Sequence, residues 1–297
     1  MEYWWSKLRV TLLAGMSSCL AVYFLAGCAT DAITGKNVLN MYTVQQDVEL
    51  GQSAMASNLK EMKKQGVKIN QDPVKLAEIK QIVDRLVAVS DLPQLPYEVT
   101  LVHTNIVNAA AMPGGQMIVF EGLYNATNAL VKDKDEMAAV LAHEIAHVNC
   151  RHSTERLTVV TGGAVFTMLI AAVLEHNNED AWATGVQALF AVGTTFYIPT
   201  YTRKDEYEAD RVGLFYMAKA GYDPRAAPRI WKRVSEEGGS KDKASIFSTH
   251  PSSGDRYKAL EKLVPYAMED YALAAGGYPK DYTPSENLPP LDWRKKP

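Results

Sequence analysis

The chain has 297 residues, of which 47% are hydrophobic and 22% are charged. This is the composition of a folded globular protein with one or two domains, and it excludes a chain that is wholly disordered, collagen-like or coiled coil. With 31 basic and 34 acidic residues the net charge is -3, so no nucleic-acid partner is expected. Three cysteines are too few for a disulfide framework in a chain of this length.

The N-terminus has the pattern of a lipoprotein signal peptide, which we predict over residues 1–27. A basic start precedes an uncharged apolar run, residues 10–24, which has the length of a signal h-region and is short for a membrane-spanning helix. The run ends in Leu-Ala-Gly before Cys28, which resembles the lipobox of bacterial lipoproteins, where the cysteine becomes lipidated. Ala29 follows it instead of the aspartate typical of inner-membrane retention, so the resemblance favours the periplasmic face of the bacterial outer membrane. The alternative is a plain membrane anchor that keeps the apolar run.

The elements predicted beyond the signal are helices and short strands. Residues 28–45 are expected to be a lipid-anchored polar tether, residues 46–265 the main domain, and residues 266–297 an extended C-terminal tail. Apolar residues at helical spacing predict helices, and alternating β-branched runs predict strands. The predicted helices are 44–65, 73–90, 133–149 and 223–236, and the predicted strands are 97–102 and 116–120.

Two long uncharged stretches lie within the main domain, at residues 158–174 and 181–202. Each is near the lower length limit for a membrane span. Their content of glycine, threonine and glutamine favours a pair of buried or interfacial helices. The alternative is a hairpin that spans a membrane.

The chemistry of the chain is concentrated in the predicted helix 133–149. His143 and His147 are four residues apart, so both imidazoles lie on one helix face and can bind one metal ion, a geometry that suits tetrahedral zinc. Glu144 points about 100° away around the helix, where it can accept a proton from a metal-activated water. Apolar residues surround the motif, which argues against an exposed helix carrying two solvated histidines.

A catalytic zinc ion usually has a third protein ligand and one open position. The acidic run that begins at Asp205 offers Glu206 and Asp210, which are four residues apart and share a helix face. We expect Glu206 to be the third ligand and Asp210 to accept a hydrogen bond from a ligand imidazole. Glu208 points away from that face. The alternative is that this acidic run is a solvated surface.

Five short motifs occur in order: NAAAMPGG at 108–115, HEIAH at 143–147, HVNCRHS at 147–153, YTRKDEYEADRVGL at 201–214 and THP at 249–251. They resemble the zinc metallopeptidase family that includes the HtpX proteases, the CAAX prenyl endopeptidases and the BepA-like periplasmic proteases, over residues 45–265. The resemblance implies a zincin-like α+β fold, mainly helical, whose HExxH helix packs on a small β-sheet. It also implies the same three ligands for one zinc ion per chain, the same general base, and an active-site edge beside Pro113, Gly114 and Gly115, where a substrate adds as a β-strand.

Other residues in these motifs are candidates for supporting roles. His250 is a catalytic candidate that could hydrogen-bond a transition-state oxyanion, or approach the metal and block it at rest; the alternative is a loop histidine bonded to a backbone carbonyl. By resemblance, Arg256 is a second catalytic candidate that could hold Asp210 or substrate carbonyls. Arg151 and His152 are expected to fix the end of the HExxH helix.

The function that these features favour is a zinc endopeptidase of the bacterial cell envelope, which hydrolyses misfolded or misassembled proteins. Its partners would be those substrates and a membrane contacted through the lipid anchor. A second hypothesis is a largely latent protease that acts as a periplasmic chaperone or assembly factor for outer-membrane proteins. A third is an integral membrane protease that uses the two uncharged stretches as spans. No tetratricopeptide-like repeats follow residue 265, so the chain resembles the short lipoprotein members more than the BepA branch.

Overall fold

A computed structural model describes residues 28–31, 33–125, 129–162, 201–236, 250 and 255–294. The predicted signal peptide and most of the two uncharged stretches lie outside these residues. Within the described part of the chain, no helix combines the length and apolar character needed to cross a membrane.

The described chain is mainly helical with a small sheet, which confirms the predicted α+β class. The helices predicted at 44–65, 73–90, 133–149 and 223–236 and both predicted strands are present, with ends shifted by a few residues. The helices are α1 (Val44–Lys64), α2 (Pro73–Ala88), α3 (Lys134–Asn149), α4 (Arg203–Lys219), α5 (Ala226–Glu236) and α6 (Arg256–Ala275). The strands are β1 (Cys28–Thr30), β2 (Asn37–Leu39), β3 (Glu98–Val102), β4 (Ala109–Ala111) and β5 (Gln116–Phe120). Residues 152–162 are also helical.

Strand β5 is the centre of a three-stranded sheet with the order β3-β5-β4. It pairs in parallel with β3 and antiparallel with β4, and all of its residues are buried. Alternate side chains face opposite layers: Ile118 packs in a cluster with Met55 of α1, whereas Met117 joins the main core together with residues of α3. Because β5 is central, strand β4 lies at one edge of the sheet.

Helix α3 carries the HExxH motif through the middle of the core. The carboxylate of Asp133 caps its N-terminus by accepting a hydrogen bond from the Glu136 amide at 2.8 Å. Every residue from Glu136 to Asn149 is buried, because α2, α4, α5 and strand β4 all contact this helix. The polar side chains of the motif therefore face the protein interior and not solvent.

Helix α4 begins at a capping box and packs closely along α3. The hydroxyl of Thr202 accepts a hydrogen bond from the Asp205 amide, and the Asp205 carboxylate accepts one from the Thr202 amide. The two helices approach each other at Gly213, where an added Cβ would lie 2.9 Å from backbone atoms of Ala142 and His143. This contact places the acidic residues of α4 against the histidines of α3.

The variant Gly213→Ala tests this close approach. Its Cβ would meet the backbone of α3 at a distance that real Cβ atoms essentially never show, so the two helices must move apart. We expect a loss of about 1–3 kcal/mol of unfolding free energy, together with weaker metal binding, measured by denaturant titration and by chelator competition. An unchanged denaturation midpoint would contradict the tight packing of α4 on α3.

The segment predicted as a polar tether, residues 28–45, is instead folded against the body. Strands β1 and β2 form an antiparallel hairpin. The Asn40 side chain then donates to Thr154 Oγ1 at 3.0 Å, and the Met41 amide donates to Thr158 Oγ1 at 3.1 Å. The hairpin was not predicted because strands of three residues are too short to show a hydrophobic period, and the lipid-anchored tether stays a prediction.

The extended tail predicted from residue 266 begins later than expected. Helix α6 continues to Ala275 and ends at Gly276, which has a left-handed conformation with φ 76°. Pro265 lies inside this helix and hides its periodicity in the sequence. Beyond the helix the chain does run over the body, where Trp293 stacks on Phe215 with ring centroids 4.8 Å apart.

Candidate metal centre

Four buried side chains from three parts of the chain converge beside α3. His143 and His147 belong to α3, Glu206 to α4, and His250 lies between α5 and α6. Each offers one ligand atom within 4.8 Å of the others, and each residue is 5% exposed or less. Tetrahedral zinc with bonds of about 2.0–2.1 Å places its ligand atoms roughly 3.3 Å apart.

The separations between the ligand atoms fit such an ion. The Nε2 atoms of His143 and His147 are 3.1 Å apart, and each lies 3.4 Å from a carboxylate oxygen of Glu206. His250 Nδ1 lies 3.3 Å from His143 Nε2 and 3.0 Å from Glu206 Oε1. Two Nε2 lone pairs that face each other repel unless a proton or a cation lies between them, so the donor set fits a divalent metal.

A carboxylate orients the outer side of the first histidine. Asp210 Oδ1 lies 3.0 Å from His143 Nδ1, the position predicted from its helical spacing with Glu206. A carboxylate there favours a proton on Nδ1 and leaves Nε2 with a free lone pair. The Nε2 atom is the one that faces the other candidate ligands.

Arg256 lies behind the ligands and is 1% exposed. Its Nε and Nη2 donate to the two oxygens of Asp210 at 2.7 and 2.6 Å, and its Nη1 lies 2.6 Å from Glu206 Oε2. The guanidinium also lies over the ring of Trp231, 3.5 Å from its centroid. The prediction that Arg256 holds Asp210 fits this geometry. The other predicted role, contact with substrate carbonyls, does not fit, because all three guanidinium nitrogens face Asp210 or Glu206. We therefore interpret Arg256 as a positioning residue.

The electrostatics of the centre favour bound positive charge. Burial alone would raise the pKa of Glu206, but the charges of His250 and Arg256 hold it well below its usual value. Burial likewise opposes protonation of His250, yet Glu206 and Glu144 raise its pKa to about 10. Burial lowers the pKa of His147 well below its ordinary value, which keeps this imidazole in the neutral form that a metal requires.

Glu144 lies beside the ligand atoms without belonging to the candidate ligand set. Its Oε2 accepts a hydrogen bond from the amide of Ala111 in β4 at 2.9 Å, and its Oε1 lies 3.2 Å from His250 Nε2. The backbone of the edge strand thus holds one oxygen and leaves the other facing the site. Glu144 thus lies beside the candidate ligands, and its role as general base stays a prediction. The partners of His250 here are side chains.

The residues predicted to mark the substrate edge form a turn, and a short strand precedes this turn. Pro113, Gly114 and Gly115 form a short turn that is fully buried, and an added Cβ at Gly114 would lie 2.4 Å from the Val48 backbone of α1. The turn itself is therefore not an accessible edge. Strand β4 beside it is an edge strand of the sheet, and its last residue, Ala111, contacts Glu144, but its three residues are buried as well. The substrate edge therefore stays a prediction.

Sequence reasoning missed two aromatic residues of the site. Tyr201 stacks on His147 with ring centroids 3.6 Å apart and an interplanar angle of 12°, and its hydroxyl donates to the Ala111 carbonyl at 3.4 Å. Trp231 lies edge-on to His143 at 5.5 Å. Tyr201 opens the acidic motif, which could have signalled a role, whereas Trp231 has only the pattern of an apolar residue in a helix.

Comparison with known proteins identifies the family. The model of Peptidase family M48 matches residues 73–264, which is well over half of the chain. The chain belongs to Peptidase family M48. This confirms the family resemblance predicted from the HEIAH and YTRKDEYEADRVGL motifs, and both motifs lie within the matched residues.

Curated relatives of this M48 chain come from mitochondria and from bacteria. It is 35% identical to the mitochondrial metalloendopeptidase OMA1 of Schizosaccharomyces pombe over 191 residues, 64% of this chain and 53% of the relative. It is 28% identical to the mitochondrial metalloendopeptidase OMA1 of Homo sapiens over 277 residues, 89% and 51% of the two chains. It is 24% identical to the beta-barrel assembly-enhancing protease of Escherichia coli over 283 residues, 90% and 55%. The chain spans about half the length of these relatives.

Proposed function

We propose that this M48 protein is a zinc-dependent endopeptidase of the bacterial cell envelope that hydrolyses misfolded or misassembled envelope proteins. The observation that carries the proposal is the convergence of His143, His147 and Glu206 beside Glu144, a carboxylate outside the ligand set. Zinc bound there would act as a Lewis acid and lower the pKa of a bound water to about 7.

The protein residues supply the remaining chemistry. Glu144 accepts the proton of the attacking water through Oε1, while the Ala111 amide keeps its Oε2 in place. The buried surroundings exclude bulk water and strengthen the electrostatic interactions inside the site. A substrate in extended conformation would add to strand β4, where the backbone of Ala111 meets the general base.

His250 supports a resting state for this enzyme. In the arrangement observed, its Nδ1 lies among the possible ligand atoms of His143, His147 and Glu206, so it would occupy the place that a water needs if those three residues held zinc. Catalysis would require the His250 ring to leave this position, and its N–H could then stabilise the oxyanion. The same feature favours the second candidate function, a largely latent protease that acts as a periplasmic chaperone or assembly factor.

The cellular setting of the proposal comes from the N-terminus and from the relatives. The lipobox-like sequence before Cys28 predicts a lipid anchor at the periplasmic face of the outer membrane. The name of the Escherichia coli relative, a beta-barrel assembly-enhancing protease, supports substrates among proteins that assemble there. The mitochondrial relatives do not support this setting, which depends on the N-terminal pattern and on the bacterial relatives.

The experiment that tests the activity measures metal and cleavage together. The purified chain should contain one zinc ion and cleave unfolded casein, and a chelator should abolish both. Glu206→Gln should lose most of its zinc, because the amide is a poor ligand and cannot balance the charge of the ion. Glu121→Gln, which changes a glutamate beside His103, is the matched control and should keep both zinc and activity. Zinc retained in full by Glu206→Gln would refute the assigned ligand.

A further inference from the structure

His147, the second of the two histidine ligands, has its Nδ1 atom against another imidazole, whereas Nδ1 of His143 faces a carboxylate. His147 Nδ1 lies 2.8 Å from His152 Nδ1, so one proton must lie between the two nitrogens. If His147 binds a metal through Nε2, its proton is on Nδ1, and His152 Nδ1 is the acceptor. The tautomer of His152 therefore decides whether His147 can act as a ligand.

The far nitrogen of His152 faces a buried acid. With Nδ1 as an acceptor, the proton of His152 is on Nε2, which is buried, lies 3.6 Å from Glu208 Oε2 and has no hydrogen-bond partner within the described residues. A carboxylate on this side favours the Nε2–H tautomer of His152, which is the one that His147 needs.

Glu208 is in turn held by the N-terminal hairpin. Lys36, in the turn between β1 and β2, lies 3.4 Å from Glu208 Oε2 and 3.5 Å from Glu155 Oε2. Thr34 of the same turn is buried. The hairpin thus contributes the cation that pairs with Glu208, although it lies far along the chain from HEIAH and from the acidic motif.

We propose that His152 and Glu208 are positioning residues for the metal ligand His147, and that the N-terminal hairpin, through Lys36, completes this chain of contacts. The proposal rests on the metal site of the proposed function. Glu208 points away from the helix face of Glu206, and under this proposal it acts on His147 through His152. It also makes the segment that follows Cys28 a structural part of the metal centre.

Zinc affinity tests the proposal independently of activity. The full chain and its variants are compared by competition with a chromophoric chelator and by the absorption spectrum of the cobalt-substituted protein. His152→Leu should weaken zinc binding by about 10- to 100-fold and shift the cobalt bands, because His147 loses its acceptor. His152→Asn should recover most of the affinity, since its side-chain oxygen can accept at nearly the same place. Lys36→Met and Glu208→Gln should each give a smaller loss in the same direction.

His103→Leu is the matched control, because His103 also pairs with a glutamate, Glu121, at 3.1 Å but lies apart from the candidate ligands. It should keep the affinity and the cobalt spectrum of the unmodified chain. If the unmodified chain binds no zinc, the proposed function fails. If it binds zinc and the variants at His152, Glu208 and Lys36 bind it equally well, the proposed function stands and this inference is overturned. If His152→Leu does not fold, equal affinity in Glu208→Gln and Lys36→Met overturns it alone.

Discussion

The variant Glu144→Gln is expected to keep its zinc and to lose peptidase activity by about 10²–10⁴-fold, the usual contribution of a general base. The change is isosteric, and the side-chain oxygen of the introduced glutamine can still accept the hydrogen bond of the Ala111 amide, so the fold and the ligands should not move. What is lost is the proton acceptor that faces the site. Zinc content reports whether the ligands are intact, the melting temperature reports whether the fold is intact, and the rate of casein cleavage reports the loss of the general base.

The same variant distinguishes the two candidate functions. If proteolysis is the function, Glu144→Gln should fail to complement a strain that lacks the protein, although it is folded and metal-loaded. Normal complementation would favour the latent chaperone or assembly factor. Casein cleavage at the unmodified rate would exclude Glu144 as the base, and Glu121→Gln provides the matched control for a glutamate lost elsewhere.

The helices and the sheet were largely predictable because their sequence patterns are local. The period of the apolar residues marks α1, α2 and α3, and the alternation of β-branched residues marks β3 and β5. Strand β4 escaped prediction because Ala109, Ala110 and Ala111 have neither high strand propensity nor alternation. Its place at the sheet edge depends on pairing with β5, which is a long-range contact that no window of sequence contains.

The ligands were predictable for a related reason. The spacing in HEIAH sets two imidazoles on one helix face, and the spacing of Glu206 and Asp210 does the same for two carboxylates, so helical geometry alone makes both pairs converge. The approach of the two helices at Gly213 brings the pairs together, and this could be inferred only from the family resemblance.

The residues that surround the ligands were harder to foresee. Tyr201 stacks on His147, but the motif that it opens does not show which residue it contacts. Lys36 reaches Glu208 from the N-terminal hairpin and belongs to no recognised motif. Arg256 was predicted near the site, but its role depends on which way the guanidinium faces. Tertiary packing decides that orientation, and the sequence carries no signal for it.

Replacing Arg256 should have the largest effect on stability of the changes considered. Arg256→Met leaves the buried carboxylates of Asp210 and Glu206 without the cation that lies 2.6 Å from each. Removing one partner from a buried charge pair costs about 3–5 kcal/mol, so we expect a loss of this size in the metal-free protein, measured by denaturant titration. Zinc should restore part of it, because the ion neutralises Glu206 and binds only the folded chain, whereas Asp210 stays unpaired.

Arg233→Met is the matched control at the other end of α3. Arg233 forms a similar two-nitrogen pair with Glu136 at 2.8 and 2.9 Å, but its side chain is 23% exposed, so a smaller loss is expected with zinc affinity unchanged. Arg256→Lys keeps the charge and loses the planar fork, and its stability should fall between those of Arg256→Met and the unmodified chain. An equal loss of zinc affinity in Arg256→Met and Arg233→Met would mean that Arg256 supports the fold in general, and that the position of Glu206 does not depend on it.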